Sequence, residues 1–178
     1  MELVVRSATL EGVMQSQSAF CNVARRVATL SKGRDDLDQW GVEELFFKTG
    51  LFNMLGFSEP GVTLNRCQDA EHAHLCVRSF TGRPMAIVEF ERPGEDLGWH
   101  TDRLARDARD LLGAAPGLAI LTDGRELWVF RVRHGRMDDE PAVFKLAEMS
   151  EQSTRALLNY FQHCQVRWPR QLRAPCLW

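Results

Sequence analysis

Several familiar signatures are missing from this sequence, and each absence removes a class of function. No apolar run approaches the roughly 18–20 residues that a membrane-spanning helix requires. The five cysteines, Cys21, Cys67, Cys76, Cys164 and Cys176, are widely spread, and no two form a Cys-x-x-Cys pair. That excludes a zinc knuckle or a thioredoxin-like redox site and leaves idle or buried thiols in a reducing compartment. There is no phosphate-binding P-loop, no G-x-S-x-G nucleophile elbow, no H-E-x-x-H, and no G-x-G-x-x-G after a strand. Repeats and low-complexity tracts are absent too. The opening MELVVRSATLEGV has no basic head followed by a long apolar core, so a cytoplasmic location is expected.

What is present is an ordinary globular composition. The chain has 178 residues, 44% hydrophobic and 26% charged, enough to bury one sizeable core. The net charge of −2 excludes a uniformly basic nucleic-acid binder. It also conceals an asymmetry. After Glu151 no acid occurs, whereas Arg155, Arg167, Arg170 and Arg173 do. Such a tail either follows phosphates through counterion release or serves as a solvated terminus.

Periodicity sets out the elements. Leu10, Val13, Phe20, Ala24 and Val27 form one stripe of a helix from about Ser7 to Leu30, and Gly33 stands beyond it as a cap or hinge. A second helix is expected from about Val42 to Leu55, apolar on most sides and therefore buried against a sheet. Strands are expected at Val62–Arg66, His74–Phe80 and Pro84–Glu91. The run PMAIVEFE fits a central strand covered on both faces. A helix from about Gly98 to Leu112, strands at Leu118–Leu121, Leu127–Val132 and Ala142–Leu146, and a last helix from about Glu151 to Gln165 complete the chain. The expected architecture is α/β: a central mixed β-sheet of about five strands flanked by helices, with an extra N-terminal helix. Residues 1–40 form the helical extension, 41–166 the main domain and 167–178 a basic tail.

The most informative stretch is GRPMAIVEFERPGEDLGWHTDRLARDARDLLGAAPGLAILTDGRELWVFRV. Its ordered features are Glu89-Phe90-Glu91 closing an apolar strand, then Pro93-Gly94, and a helix with Arg103-Leu104 and Ala108. The turn Ala119–Gly124 and the aromatic strand Trp128-Val129-Phe130 follow. Together with the upstream EELFFKTGLFNMLGF, this order resembles the N-terminal nuclease domain of type I restriction enzyme motor subunits. Those domains belong to the PD-(D/E)xK restriction-endonuclease-like superfamily. The likeness runs from about residue 41 to 132. It implies a site where Glu89 and Glu91 share one face of a strand end, with Glu43 brought close by the first helix. Mg²⁺ or Mn²⁺ would be the cofactor if the domain is active, polarising a phosphate and activating water.

The chain departs from the family pattern at three places. Glu91 stands where the family has lysine, Arg103 where it has glutamine, and no carboxylate lies near Leu75, the expected place of the preceding aspartate. His74, Asp69 or Glu71 are the substitute ligands on offer, His74 being the softer one. Each residue also has a plainer reading. Glu89 and Glu91 can be strand-end carboxylates paired with Arg92 or Arg103. Glu43 and Glu44 suit a helix N-terminus whatever their function. His72 and His74 alternate on a strand, His100 reads as a local cap or surface residue, and Trp99, Trp128 and Trp168 read as packing residues.

Three functions stay in play. The first is a degenerate nuclease-fold module acting in nucleic-acid binding or in assembly of a restriction or defence complex, with DNA ahead of RNA. Phosphate contacts would then come from Arg103, Arg106, Arg167, Arg170 and Arg173. The second is an active Mg²⁺-dependent DNA endonuclease using Glu89 and Glu91. The third is a protein-interaction or oligomerisation domain, possibly a homodimer, with no nucleic-acid role. None of them involves a membrane.

Overall fold

The alternation in PMAIVEF builds the centre of the molecule. In a computed structural model, which describes residues 10–34, 36–55, 63–66, 74–79 and 81–163, this run is strand β3 (Pro84–Phe90). Its neighbours are β2 (His74–Arg78), antiparallel on one side, and β4 (Gly117–Thr122), parallel on the other. Strand β1 (Thr63–Arg66) lies outside β2, and β5 (Glu126–Arg133) pairs antiparallel with β4. The sheet is therefore mixed. Its one parallel seam is spanned by helix α4 (Thr101–Leu112), a crossover that parallel neighbours require.

Among the described residues the mixed sheet has seven strands, two of them short strands of four residues or fewer at the β5 edge, against the expected number of about five. Beyond β5, β7 (Ala142–Lys145) is the strand expected at Ala142–Leu146, the short β6 (Arg136–Met137) has no counterpart among the expected strands, and each pairs with a different part of β5. The turn between β5 and β6 passes through His134 at φ 52° and Gly135 at φ 72°, the left-handed backbone a tight hairpin needs.

Helices cover both faces. On one lie α1 (Leu10–Ser31), α2 (Gln39–Thr49), the single turn α3 (Leu51–Met54) and α5 (Glu151–His163). Phe20, Ala24 and Val27 of α1, Phe46 of α2 and Leu157 and Phe161 of α5 share one core with Val77, Ala86, Val88, Ile120 and Val129 of the sheet. The N-terminal helix is thus part of the main core. The expected helix over residues 42–55 is broken at Gly50, whose φ of 79° ends α2 before α3 begins. The break lets Phe52 turn inward, and Phe46, Phe52 and Phe90 meet in tilted and edge-to-face contacts with ring centroids 5.5–5.9 Å apart.

Among the described residues, the opposite face carries α4 and, just before it, Leu97 of a 3₁₀ turn. Leu104, Ala108 and Leu112 recur every fourth residue and pack on Ile87, Ala119, Leu121, Phe130 and Val132. Among the described residues, no helix is long and apolar enough to cross a membrane.

Candidate functional site

Strand alternation sends Ala86, Val88 and Phe90 into the first core, so Ile87 and Glu89 face α4. The ladder continues one residue past the strand, because the Glu91 N–H donates to the Thr122 carbonyl at 2.8 Å. Glu91 thereby keeps the same facing as Glu89. Both are buried, with 1% and 6% of their surface exposed. A carboxylate held that deep needs a partner, and α4 supplies one.

Arg103 lies one residue before the apolar stripe of α4 and reaches across to both acids. Its Nε and Nη2 donate to Glu89 Oε2 at 3.1 and 2.9 Å, and Nη2 also donates to Glu91 Oε1. Glu89 Oε1 accepts no hydrogen bond. Burial pushes the Glu89 carboxyl up to about 8, against the pull of the Arg103 charge, and Asp107 on the next turn of α4 raises it further. Burial therefore outweighs the ion pair at Glu89. Glu91 is raised for the same first reason, with Arg103 and His100 opposing. On Arg103 burial acts to lower the pKa, but the two carboxylates prevail and raise it.

The chain beyond Glu91 adds two residues that the sequence reading left out of the site. His100 ends a 3₁₀ turn (Leu97–His100) and sets Nδ1 3.4 Å from Glu91 Oε1 and Nε2 3.2 Å from Glu95 Oε2. It occupies the N-cap position of α4, as expected, but without a side-chain cap hydrogen bond, and its imidazole instead bridges two carboxylates. The only sequence signal for this is the nine-residue interval from Glu91 across Pro93-Gly94. Asp123, buried in the β4–β5 turn, holds that end of the sheet together. Its Oδ2 accepts the Gly94 N–H at 2.9 Å, and its Oδ1 accepts those of Arg125 and Glu126 at 2.8 and 2.9 Å. Next to it, Gly124 (φ 81°) lies so close to α1 that an added Cβ would sit 2.3 Å from Ser31 Oγ.

The other residues singled out in the sequence are placed as follows. His74 stands opposite Glu89 in the β2–β3 register, while Leu75, the expected aspartate place, pairs with Val88 and joins the apolar core. The substitute ligands Asp69 and Glu71, together with His72, lie outside the described residues. Glu43 is buried on α2, whose Phe46 packs on Phe90 on the face away from Glu89. Glu44 is exposed and pairs with Lys48 at 2.8 Å. Arg106 is exposed on α4; Arg167, Arg170 and Arg173, with Trp168, lie outside the described residues. Trp128 packs on the second core as expected, but Trp99 is 85% exposed.

The donor set does not fit Mg²⁺ as the family resemblance implies. Mg²⁺ needs near-octahedral oxygen ligation, yet one oxygen of Glu89 and one of Glu91 are bonded to a guanidinium and the residue opposite Glu89 is a histidine. Comparison with protein-family models, with curated proteins and with solved structures finds none that matches this chain.

Proposed function

We propose that this chain is a restriction-endonuclease-like module that does not cleave and that acts by binding nucleic acid through its phosphates, as a working part of a restriction or defence assembly. The observation that carries the non-cleaving half is Arg103. A permanently charged guanidinium lies between the two carboxylates that would have to hold a metal ion. Support for the nucleic-acid half comes from the order of β3, α4 and the β4–β5 turn, from exposed Arg106, and from the acid-free basic stretch after Glu151. Arg103 itself drops out of the phosphate-binding set, because Glu89 and Glu91 hold it.

Binding to duplex DNA is expected to be micromolar or weaker, indifferent to sequence and steeply weakened by salt. Removing residues 166–178 takes away Arg167, Arg170 and Arg173. The log–log salt slope should then flatten by up to about 3 units, at roughly 0.9 per phosphate contact. Full-length protein that retains neither duplex nor single-stranded DNA at low salt refutes the nucleic-acid half, and cleavage in Mg²⁺ refutes the other. A second reading, assembly with a protein partner, is favoured by Trp99, which is 85% exposed beside Glu95, Asp96 and Asp102. That surface is acidic and aromatic rather than basic.

A further inference from the structure

Helix α4 and the β5–β6 hairpin close on each other at one end and part at the other. An added Cβ on Gly135 would sit 3.4 Å from the Gly113 carbonyl oxygen and 4.0 Å from Arg109 Cγ, so the end of α4 and the hairpin turn touch there. Thr101, Ala105 and Arg109 recur every fourth residue, and their stripe leads from that contact back to the start of the helix. The small Ala105 leaves the middle of the stripe empty. A cavity of about 260 Å³ opens there, floored by buried Phe130 and by Met137. Its charges are sorted by end. Arg109 and Arg136 stand beside the Gly135 turn. From that turn β6 runs back along β5, with Met137 opposite Val132 and the Asp138 N–H donating to the Arg131 carbonyl at 2.9 Å. This path carries Asp138 and Asp139 towards the start of α4, where Asp102 stands. All five side chains are exposed, and among the described residues none of them forms an ion pair. A purely anionic ligand would meet the three carboxylates, and a purely cationic one the two guanidiniums, so a ligand carrying both charges fits best. Asp102 and Arg109 are separated by about 10 Å of helix axis. Three extended residues span about 10 Å from end to end. We propose that this groove binds a short free peptide of about three small residues, its terminal carboxylate on Arg109 and Arg136 and its terminal ammonium among Asp102, Asp138 and Asp139. The arginines suit a carboxylate because a guanidinium can donate to both of its oxygens.

Arg106, offered above to phosphates, does not line the groove, so the nucleic-acid reading stands or falls separately. The test titrates the full-length protein with trialanine and follows backbone amide shifts by nuclear magnetic resonance. Alanine, N-acetyl-trialanine and trialanine amide serve as the comparison ligands. Trialanine should move amides of α4 and of the β5–β6 hairpin in a saturable way. Each blocked peptide lacks one charge-assisted contact and should bind at least about tenfold more weakly. Alanine, whose two charges lie too close together to reach both ends, should be weakened as much. Ala105→Leu fills the groove and should abolish binding. Arg109→Gln should weaken trialanine and leave the already weak trialanine amide unchanged, whereas Asp102→Asn should weaken trialanine and leave N-acetyl-trialanine unchanged. Both replace exposed side chains, and a general loss of structure would not produce that pairing. The inference is overturned if trialanine at millimolar concentration moves none of these amides, if the blocked peptides bind as tightly as trialanine, or if Arg109→Gln and Asp102→Asn both bind it as wild type does.

Discussion

The two faces of β3 solve different problems with the same strand. Towards α1, α2 and α5 it presents Ala86, Val88 and Phe90, which join one apolar core with residues of those helices. Towards α4 it presents Ile87, then Glu89, with Glu91 beyond, and there the layer holds a guanidinium among acids. The first face explains why the chain folds, because burial of apolar surface is the main favourable contribution to folding. The second does not. A buried ion pair gains little over apolar packing of equal volume, so its presence reflects a requirement other than stability. The comparison teaches that the face worth testing for function is the one that is energetically dispensable.

The comparison can be broken first on the apolar side. Phe46→Ala removes a ring packed against both Phe52 and Phe90 and should cost about 3–5 kcal/mol in urea denaturation. Arg103→Ala on the other face should cost about 2–3 kcal/mol, less than a fully buried pair, since Glu89 holds a proton up to about 8 and is not left as a buried charge. Removing the whole network with Glu89→Gln, Glu91→Gln and Arg103→Met together should return stability to within about 1 kcal/mol of wild type. A triple variant as unstable as Arg103→Ala would show that the network carries the fold after all.

A smaller effect sharpens the contrast through pH. The folded protein holds a proton on Glu89 up to about 8, whereas the unfolded chain releases it near about 4.3. Between those values the folded state binds the extra proton, so the stability this group contributes is full at low pH and is lost as pH rises. Wild type should therefore weaken relative to Glu89→Gln, by on the order of 1 kcal/mol per pH unit between about pH 5 and pH 8. Parallel curves for the two proteins would place the carboxylate in a more polar setting. The smallest effect belongs to Trp99→Ala, which should change stability by less than about 0.5 kcal/mol because the ring is exposed. Loss of binding in that variant, to DNA or to a protein partner, would mark the ring as a contact.

Much of the fold was legible because it depends on local pattern. The period of two in β3, the spacing of Leu104, Ala108 and Leu112, and the turn residues around Gly124 each encode their own geometry. Gly50 was harder, since a helix-compatible run on both sides hides a left-handed residue that only packing of Phe52 selects. The candidate site was half legible. Glu89 and Glu91 follow from alternation, but Arg103 reaches them only because α4 docks at one angle and height on the sheet. The tie from Asp123 to Gly94, across 29 residues, and the bridge from His100 to Glu95 have no periodic signature at all.

The crossover has a kinetic consequence. The β2–β3 hairpin closes over a few residues, with the Ser79 N–H donating to the Arg83 carbonyl at 2.8 Å. The β3–β4 seam cannot close until the whole α4 segment has been brought round. Short loops lose less chain entropy than long ones, so the hairpin should lead and the parallel seam follow. Glu89 then stays hydrated until α4 docks, and its desolvation falls on a late step. A group that loses its water after the transition state acts on the rate of unfolding and leaves the rate of folding alone. Raising the pH from about 5 to about 8 should therefore shorten the lifetime of the native state without slowing its formation.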